Sequence, residues 1–274
     1  MRKRFSLTVV LLLALLIVLY AAALAFAGML DELRAKAEKG DVGAQYSLGL
    51  IYDNGDGDVV KQDYEEAVKW YRMAAEQGHT AAQYNLGFMY DHGDGVKQDY
   101  NEAIKWYRMA AEQGHPGAQY NLGILYDNGD GVEQDFKEAV KWYRMAAEFG
   151  HPGAQFSLGL MYDNGYGVKQ DYAEAFRLFR KAAREGHAAA QFNLGTMYAR
   201  GEGVKQNYEE AAKWWRKAAN QGHGQAQFNL GFMYFKGYGG VQNKEEAAKW
   251  FIKAAKQGHG GAIEALAELG IEVD

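Results

Sequence analysis

The chain has 274 residues, a formal net charge of −5 and no cysteine. The missing thiols exclude disulfides, thiol catalysis, thiolate metal sites and a lipid-acylated cysteine. Of the 30 Lys and Arg, three (Arg2, Lys3 and Arg4) stand at the N-terminus, and the other 27 face 35 Asp and Glu. An acidic chain without a basic run or stripe is a poor nucleic-acid binder, since phosphate contacts need clustered Lys and Arg.

The three basic residues precede an uncharged apolar run from Val9 that closes on Ala25-Phe26-Ala27. Residues 1–27 read as a secretory signal peptide with an A-x-A site, which predicts export to the periplasm or medium with Gly28 first. The alternative is an uncleaved membrane anchor, because Val9 to Ala27 spans 19 residues and about 20 cross a bilayer. Residues 28–40 read as an N-terminal capping helix, with Leu30 to Gly40 a half-unit covering the first repeat.

From Asp41 the chain repeats. Ala-Gln-(Tyr/Phe) recurs at Ala44, Ala82, Ala118, Ala154, Ala190 and Ala226, with a first interval of 38 and then a constant 36. The units run 41–78, 79–114, 115–150, 151–186, 187–222 and 223–258. Residues 259–274 carry Ala262, Leu266 and Leu269 as the apolar stripe of a C-terminal capping helix. A unit this short cannot bury its apolar face alone, whereas stacked neighbours share one core. The expected fold is all-α: an α-solenoid of six tandem 36-residue helix–turn–helix repeats between two caps.

His79 to Gly114 shows the internal logic. Ala82, Leu86 and Tyr90 fall on one face of a first helix. Gly93 ends that helix, and the turn runs to Gln98. Asp99 and Glu102 form a capping-box-like pair, repeated as Asp63/Glu66, Asp135/Glu138, Asp171/Glu174, Asn207/Glu210 and Asn243/Glu246. The second helix buries Ala103, Trp106, Tyr107 and Ala110, exposes Lys105 and Arg108, and stops at Gly114. The pairs Trp70/Tyr71, Trp106/Tyr107, Trp142/Tyr143 and Trp214/Trp215 are expected in the core. In the first helix of unit one, Ala44, Leu48, Ile51 and Tyr52 share the packing arc. Tyr46 and Gly49 are expected to meet the neighbouring unit.

The segment AQYNLGFMYDHGDGVKQDYNEAIKWYRMAAEQG, Ala82 to Gly114, resembles the Sel-1-like repeat, a relative of the tetratricopeptide repeat. The likeness covers Asp41 to Gly258 in six copies. It implies a right-handed superhelix of antiparallel helix pairs acting as an adaptor in secretion, envelope assembly, signalling or quality control, and no single reaction. One branch of the family carries a disulfide in each repeat and is linked to β-lactam binding. A chain without cysteine departs from it, and a ligand-binding protein or hydrolase of that kind is the alternative reading. No non-periodic cluster of Ser, Lys, Glu or His supports it.

His79, His115, His151, His187, His223 and His259 lie 36 residues apart. Equivalent positions in stacked repeats stand roughly 8–10 Å apart, while ligands of one zinc sit about 2 Å from it, so the ladder cannot converge on an ion. Asp41 holds the same place in unit one, and the histidines are expected to start helices. His92 breaks the period in a polar turn without a nucleophile–base partner. Asn54, Asp56, Asp58 and Glu65 imitate a calcium loop, but Val59 stands where its glycine belongs. The Gly-x-Gly turns lack the preceding strand of a phosphate loop. No catalytic, cofactor-binding or metal-ligating residue is expected, and no cofactor.

The arc of the first helix centred on Gly43, Ser47, Leu50 and Asn54 has no evident packing duty. Carried along the chain it gives Asn85, Asn121, Ser157, Asn193 and Asn229 beside Phe88, Ile124, Leu160, Thr196 and Phe232. A third row passes from Asn54, His92, Asn128 and Asn164 to Arg200 and Lys236, with Asp53, Asp91, Asp127 and Asp163 as an acidic edge. First helices lining a concave groove would offer amides to an extended peptide backbone and apolar contacts to its side chains. The competing reading keeps each Asn bonded within its own repeat. The function expected is an exported, monomeric, non-enzymatic interaction scaffold for another protein or an extended peptide.

Overall fold

The computed structural model describes residues 27–55, 60–240 and 242–272. All but the last residue of the expected signal segment lies outside them, as do Asp56, Asp58 and Val59 of the acidic turn. Among the described residues there are fourteen α-helices and no strand. Helix α1 covers 27–38. It is followed by α2 (Val42–Asn54), α3 (Tyr64–Glu76), α4 (Thr80–His92), α5 (Tyr100–Glu112), α6 (Pro116–Asn128), α7 (Phe136–Glu148) and α8 (Pro152–Asn164). Then come α9 (Tyr172–Arg184), α10 (Ala188–Arg200), α11 (Tyr208–Asn220), α12 (Gly224–Lys236), α13 (Lys244–Ala255) and α14 (Gly260–Glu268). The six pairs from α2/α3 to α12/α13 are the six repeats, and the chain is all-α as its periodicity requires.

The chain divides into two compact units, Met1–Ala118 and Gln119–Asp274. In the first, α2, α3, α4 and α5 pack in sequence order; in the second, α7 to α14 do the same. Each repeat closes its turn with a glycine of left-handed backbone, such as Gly93 at φ 80° and Gly95 at φ 67°. Gly95 is constrained twice, because a Cβ there would sit on the Tyr64 backbone carbonyl of the preceding repeat.

The second helices start as the capping residues predict, but only in half. Asp99 Oδ1 accepts from the amides of Asn101 and Glu102 at 2.9 and 3.2 Å. The reciprocal bond of a capping box is replaced: the Asp99 amide donates to the Tyr90 carbonyl at 2.9 Å, which ties α5 to the end of α4. Glu102 is thereby released to pair with Lys105 at 3.1 Å, and the same i,i+3 pair recurs from Glu66–Lys69 to Glu246–Lys249. These pairs are exposed and screened by solvent, so they contribute little to stability.

Packing within a pair depends on a small residue opposite a large one. A Cβ on Gly87 would lie 2.7 Å from the Tyr107 ring, so the glycine is the condition for burying that tyrosine completely. Gly49 likewise faces Tyr71 of its own second helix, which corrects the expectation that it meets the next unit. Tyr46 does meet the next unit, stacking on His79 at 4.5 Å. Tyr71, Trp106, Tyr107, Trp142, Tyr143 and Trp215 are buried, while Trp70 and Trp214 are half-buried.

The glutamine of Ala-Gln-(Tyr/Phe) is buried in all six repeats. Gln83 Nε2 donates to the Ala75 carbonyl of the preceding repeat at 3.1 Å, and its Oε1 accepts from Gln113 at 2.7 Å. One side chain thus joins three helices and satisfies both its polar atoms, the condition for burying an amide. Gln45, Gln191 and Gln227 repeat the arrangement with Gln77, Gln221 and Gln257.

At the start of the described chain, α1 buries Ala37 against Ala44 and Leu48, with Leu30 and Leu33 alongside. Arg34 donates to the Tyr52 hydroxyl as Arg72 does to Tyr90, so α1 stands in the register of a second helix. At the other end, α14 buries Ala262 and Leu266 against Ala247 and Phe251. No helix among the described residues is long and apolar enough to cross a membrane.

Candidate partner-binding face

The periodic histidines do start helices. His79, His151, His187, His223 and His259 each accept the amide three residues on at Nδ1, and His115 does so from Ala118 at 3.1 Å. Each ring stacks on or tilts against the first-helix aromatic of the preceding repeat, as in Tyr84–His115 at 4.4 Å and Phe192–His223 at 4.6 Å. An accepting Nδ1 is unprotonated, and burial holds His115, His187 and His223 below the usual histidine pKa. These side chains are spent on connecting repeats. Among the described residues, no group of three or more His, Asp or Glu is arranged to hold a metal ion.

None of the ten residues expected to line the face is fully buried. Asn85, Asn121, Ile124, Ser157, Leu160, Asn193, Thr196 and Asn229 are half-buried, and Phe88 and Phe232 are 38% and 37% exposed. The arc nevertheless carries packing contacts, contrary to the expectation that it has no such duty. In the first unit, Asn85 hydrogen-bonds the Tyr71 hydroxyl of the preceding repeat, and Phe88 is stacked by His92 at 3.9 Å. In the second, Ser157 bonds Tyr143 in the same way, and Ile124 and Leu160 lean on the cores beside them. Thr196 Oγ1 lies 3.4 Å from the indole nitrogen of Trp215, which donates chiefly to the Phe192 carbonyl at 3.1 Å.

Asn193 and Asn229 differ from Asn85 and Ser157. The tyrosine of the preceding second helix is replaced ahead of them by Phe179 and Trp215, which carry no hydroxyl. Among the described residues, Asn229 Oδ1 accepts from Gln225 of its own helix at 3.0 Å, and Gln225 Oε1 in turn lies 3.1 Å from His259 Nε2. The second unit therefore holds the amides least committed to the scaffold, beside the exposed ring of Phe232.

The acidic edge also has a structural role. The buried Tyr71, Tyr107 and Tyr143 donate their hydroxyls to Asp53, Asp91 and Asp127 at 2.9, 3.1 and 3.0 Å. Burial pushes the Asp127 carboxyl up, and the Tyr143 hydroxyl partly offsets this. Burial and Glu202 raise Asp163, with Arg200 opposing.

Tandem helix pairs joined by buried glutamines and histidine caps define a repeat scaffold. The Sel1 repeat matches the chain six times, at 42–79, 80–115, 116–151, 152–187, 188–223 and 224–259, and the chain belongs to this family. Sel1 repeat proteins generally act as protein-interaction scaffolds. The chain is similar to a protective antigen of uropathogenic Escherichia coli strains that displays an SLR fold, at 43% identity and a TM-score of 0.81. That likeness covers 85% of this chain and 50% of the antigen, so the chain spans about half its length. A Sel1 repeat protein from Oxalobacter formigenes is 39% identical with a TM-score of 0.71, over 83% of this chain and 99% of that one. A comparison with curated protein sequences finds no match.

Proposed function

We propose that the protein is an exported scaffold that binds another protein, or an extended segment of one, on the first-helix faces of its repeats. The observation that carries the reading is the pairing of Asn229 with Phe232 on α12. Among the described residues, an amide whose partner lies in its own helix stands beside a large apolar ring that the fold leaves 37% exposed. Asn193 and Thr196 supply the preceding step of the same row. Such a surface offers donors and acceptors to a peptide backbone and an apolar contact to its side chains. Export rests on the A-x-A-ended apolar segment.

Site-specific photocrosslinking tests this directly. A photoreactive amino acid at Phe232 should give one discrete adduct in cells, and the same group at Lys249, exposed on a second helix, should give none. Equal adducts at both positions, or none at Phe232, would move the docking surface off the first helices.

A further inference from the structure

The outer face of the second helices changes sign along the chain. In their last turn α3, α5 and α7 carry Met73, Met109 and Met145, each followed three residues on by Glu76, Glu112 and Glu148. At the same two positions α9 carries Lys181 and Arg184, α11 Lys217 and Asn220, and α13 Lys253 and Lys256. The five basic side chains are exposed, and the ion pairs of these helices use Arg177, Lys213 and Lys249 instead. Packing gathers what the repeat period scatters. Leu178 of α9 joins the core around α7, Trp214 of α11 leans on the core of α9, and Trp250 of α13 on that of α11. The second helices of this unit therefore stand side by side, and the five charges form a stripe in steps of roughly 8–10 Å. This corrects the expectation of a chain without a basic stripe. Helix stability does not account for it: cations favour a helix C-terminus, yet α3, α5 and α7 place glutamates there.

We propose that this stripe docks the protein on an anionic lipid bilayer. Charge is joined there by an apolar tip. Phe149 lies one turn past Met145 on α7, in line with the Lys181 position, and at 65% it is the most exposed large apolar side chain among the described residues. It stands where Gln113 and Gln221 make the glutamine bridge, a bond an aromatic ring cannot supply. Lys217 and Lys253 lie over the Trp214 and Trp250 rings at 4.2 and 4.1 Å, so their ammonium groups are held outward on apolar ground. Glu185 beside Arg184 opposes the five cations with one charge. An exposed ring among lysines is the composition of an interfacial binder: the ring enters the acyl boundary while the cations meet headgroup phosphates. Mobile headgroups can gather under charges set at repeat spacing, whereas a nucleic acid or an acidic protein would need its own charges in that spacing. A polyanion without an apolar layer also gives Phe149 nothing to enter. The stripe lies on the second helices and does not depend on the Asn229 and Phe232 face.

The test is co-sedimentation of the purified full chain with vesicles of phosphatidylcholine, with and without phosphatidylglycerol. Binding is expected in excess on the anionic vesicles, and that excess should fall steeply as salt is raised. Arg184→Glu/Lys256→Glu copies Glu112 and Glu148 in residue and position, so the repeat already accommodates it. The double variant should keep the helical spectrum and lower the anionic partition by more than about a hundredfold, at about fivefold per unit of charge. Phe149→Gln, which copies Gln113, should lower it by a smaller factor and leave the salt dependence in place. An apolar N-terminal segment still on the chain would bind both kinds of vesicle and would not respond to the double substitution. An anionic partition that equals the neutral one, or that is unchanged in the double variant, would overturn the proposal. No anionic binding would overturn it as well, and salt-sensitive capture of polyglutamate or single-stranded DNA in its place would assign the stripe to another polyanion.

Discussion

Gln221 Nε2 donates to the buried Oε1 of Gln191 at 2.8 Å, and Gln191 Nε2 in turn donates to the Ala183 carbonyl at 3.1 Å. The fourth repeat breaks this chain. Gln155 is buried, but Glu185 holds the donor position, and a carboxylate cannot donate; Gln155 Oε1 has no partner among the described residues. Glu185→Gln should supply the missing donor and raise stability by about 0.5–1.5 kcal/mol. An increase in the urea midpoint at unchanged m-value would show it, and an unchanged midpoint would count against the glutamine bridge as a stabilising element.

The histidine caps make stability pH-dependent with a defined sign. Burial lowers the pKa of His115, His187 and His223 in the folded chain below the ordinary 6.5. Below that value the unfolded chain binds protons that the folded chain refuses, so stability is full above about pH 6.5 and falls as the pH drops through it toward the lower folded values. Protonation also removes the Nδ1 acceptor and places a positive charge at a helix N-terminus. Melting temperature should decline from pH 7 to pH 5. His187→Asp, which copies the Asp41 cap, should reduce the decline, and a pH-independent melt would contradict the cap geometry.

The row of first-helix amides should divide by partner. Asn85→Ala removes a bond to the buried Tyr71 hydroxyl and should cost about 1 kcal/mol. Asn193→Ala has no hydroxyl opposite it and should stay within about ±0.5 kcal/mol. Equal losses, read from chemical denaturation, would mean that Asn193 is also repeat glue.

How much of this was legible varies with the interaction. The period, the helix starts and stops and the buried aromatics were readable because each depends on residue type at a fixed spacing. The histidine caps were readable too, from Asp41 in the equivalent place. The glutamine bridge was missed because an invariant polar residue looks like a period marker until three helices are placed around it. The tyrosine–aspartate bonds left a usable signal: Tyr71, Tyr107 and Tyr143 accompany Asp53, Asp91 and Asp127, whereas Trp215 and Phe251 accompany Ala199 and Phe235, with Phe179 beside Asp163 as the exception. Read as covariation between repeats, that pattern removes Asp53, Asp91 and Asp127 from the candidate surface.

The N-terminal segment gives a simple measurement. Intact mass of the exported protein should place Gly28 first, after cleavage behind Ala25-Phe26-Ala27. The full-length chain recovered from a membrane fraction would make it an anchored protein.

The central claim is that the first-helix row of the second unit holds a partner. The double variant Asn193→Ala/Asn229→Ala should melt within a few degrees of the parent, since among the described residues neither amide bonds another repeat directly. Its affinity for the protein that crosslinks at Phe232 should fall by about tenfold, the loss of two amide contacts of roughly 0.5–1.5 kcal/mol each. Measured by calorimetry on the folded variant, unchanged affinity would contradict the claim.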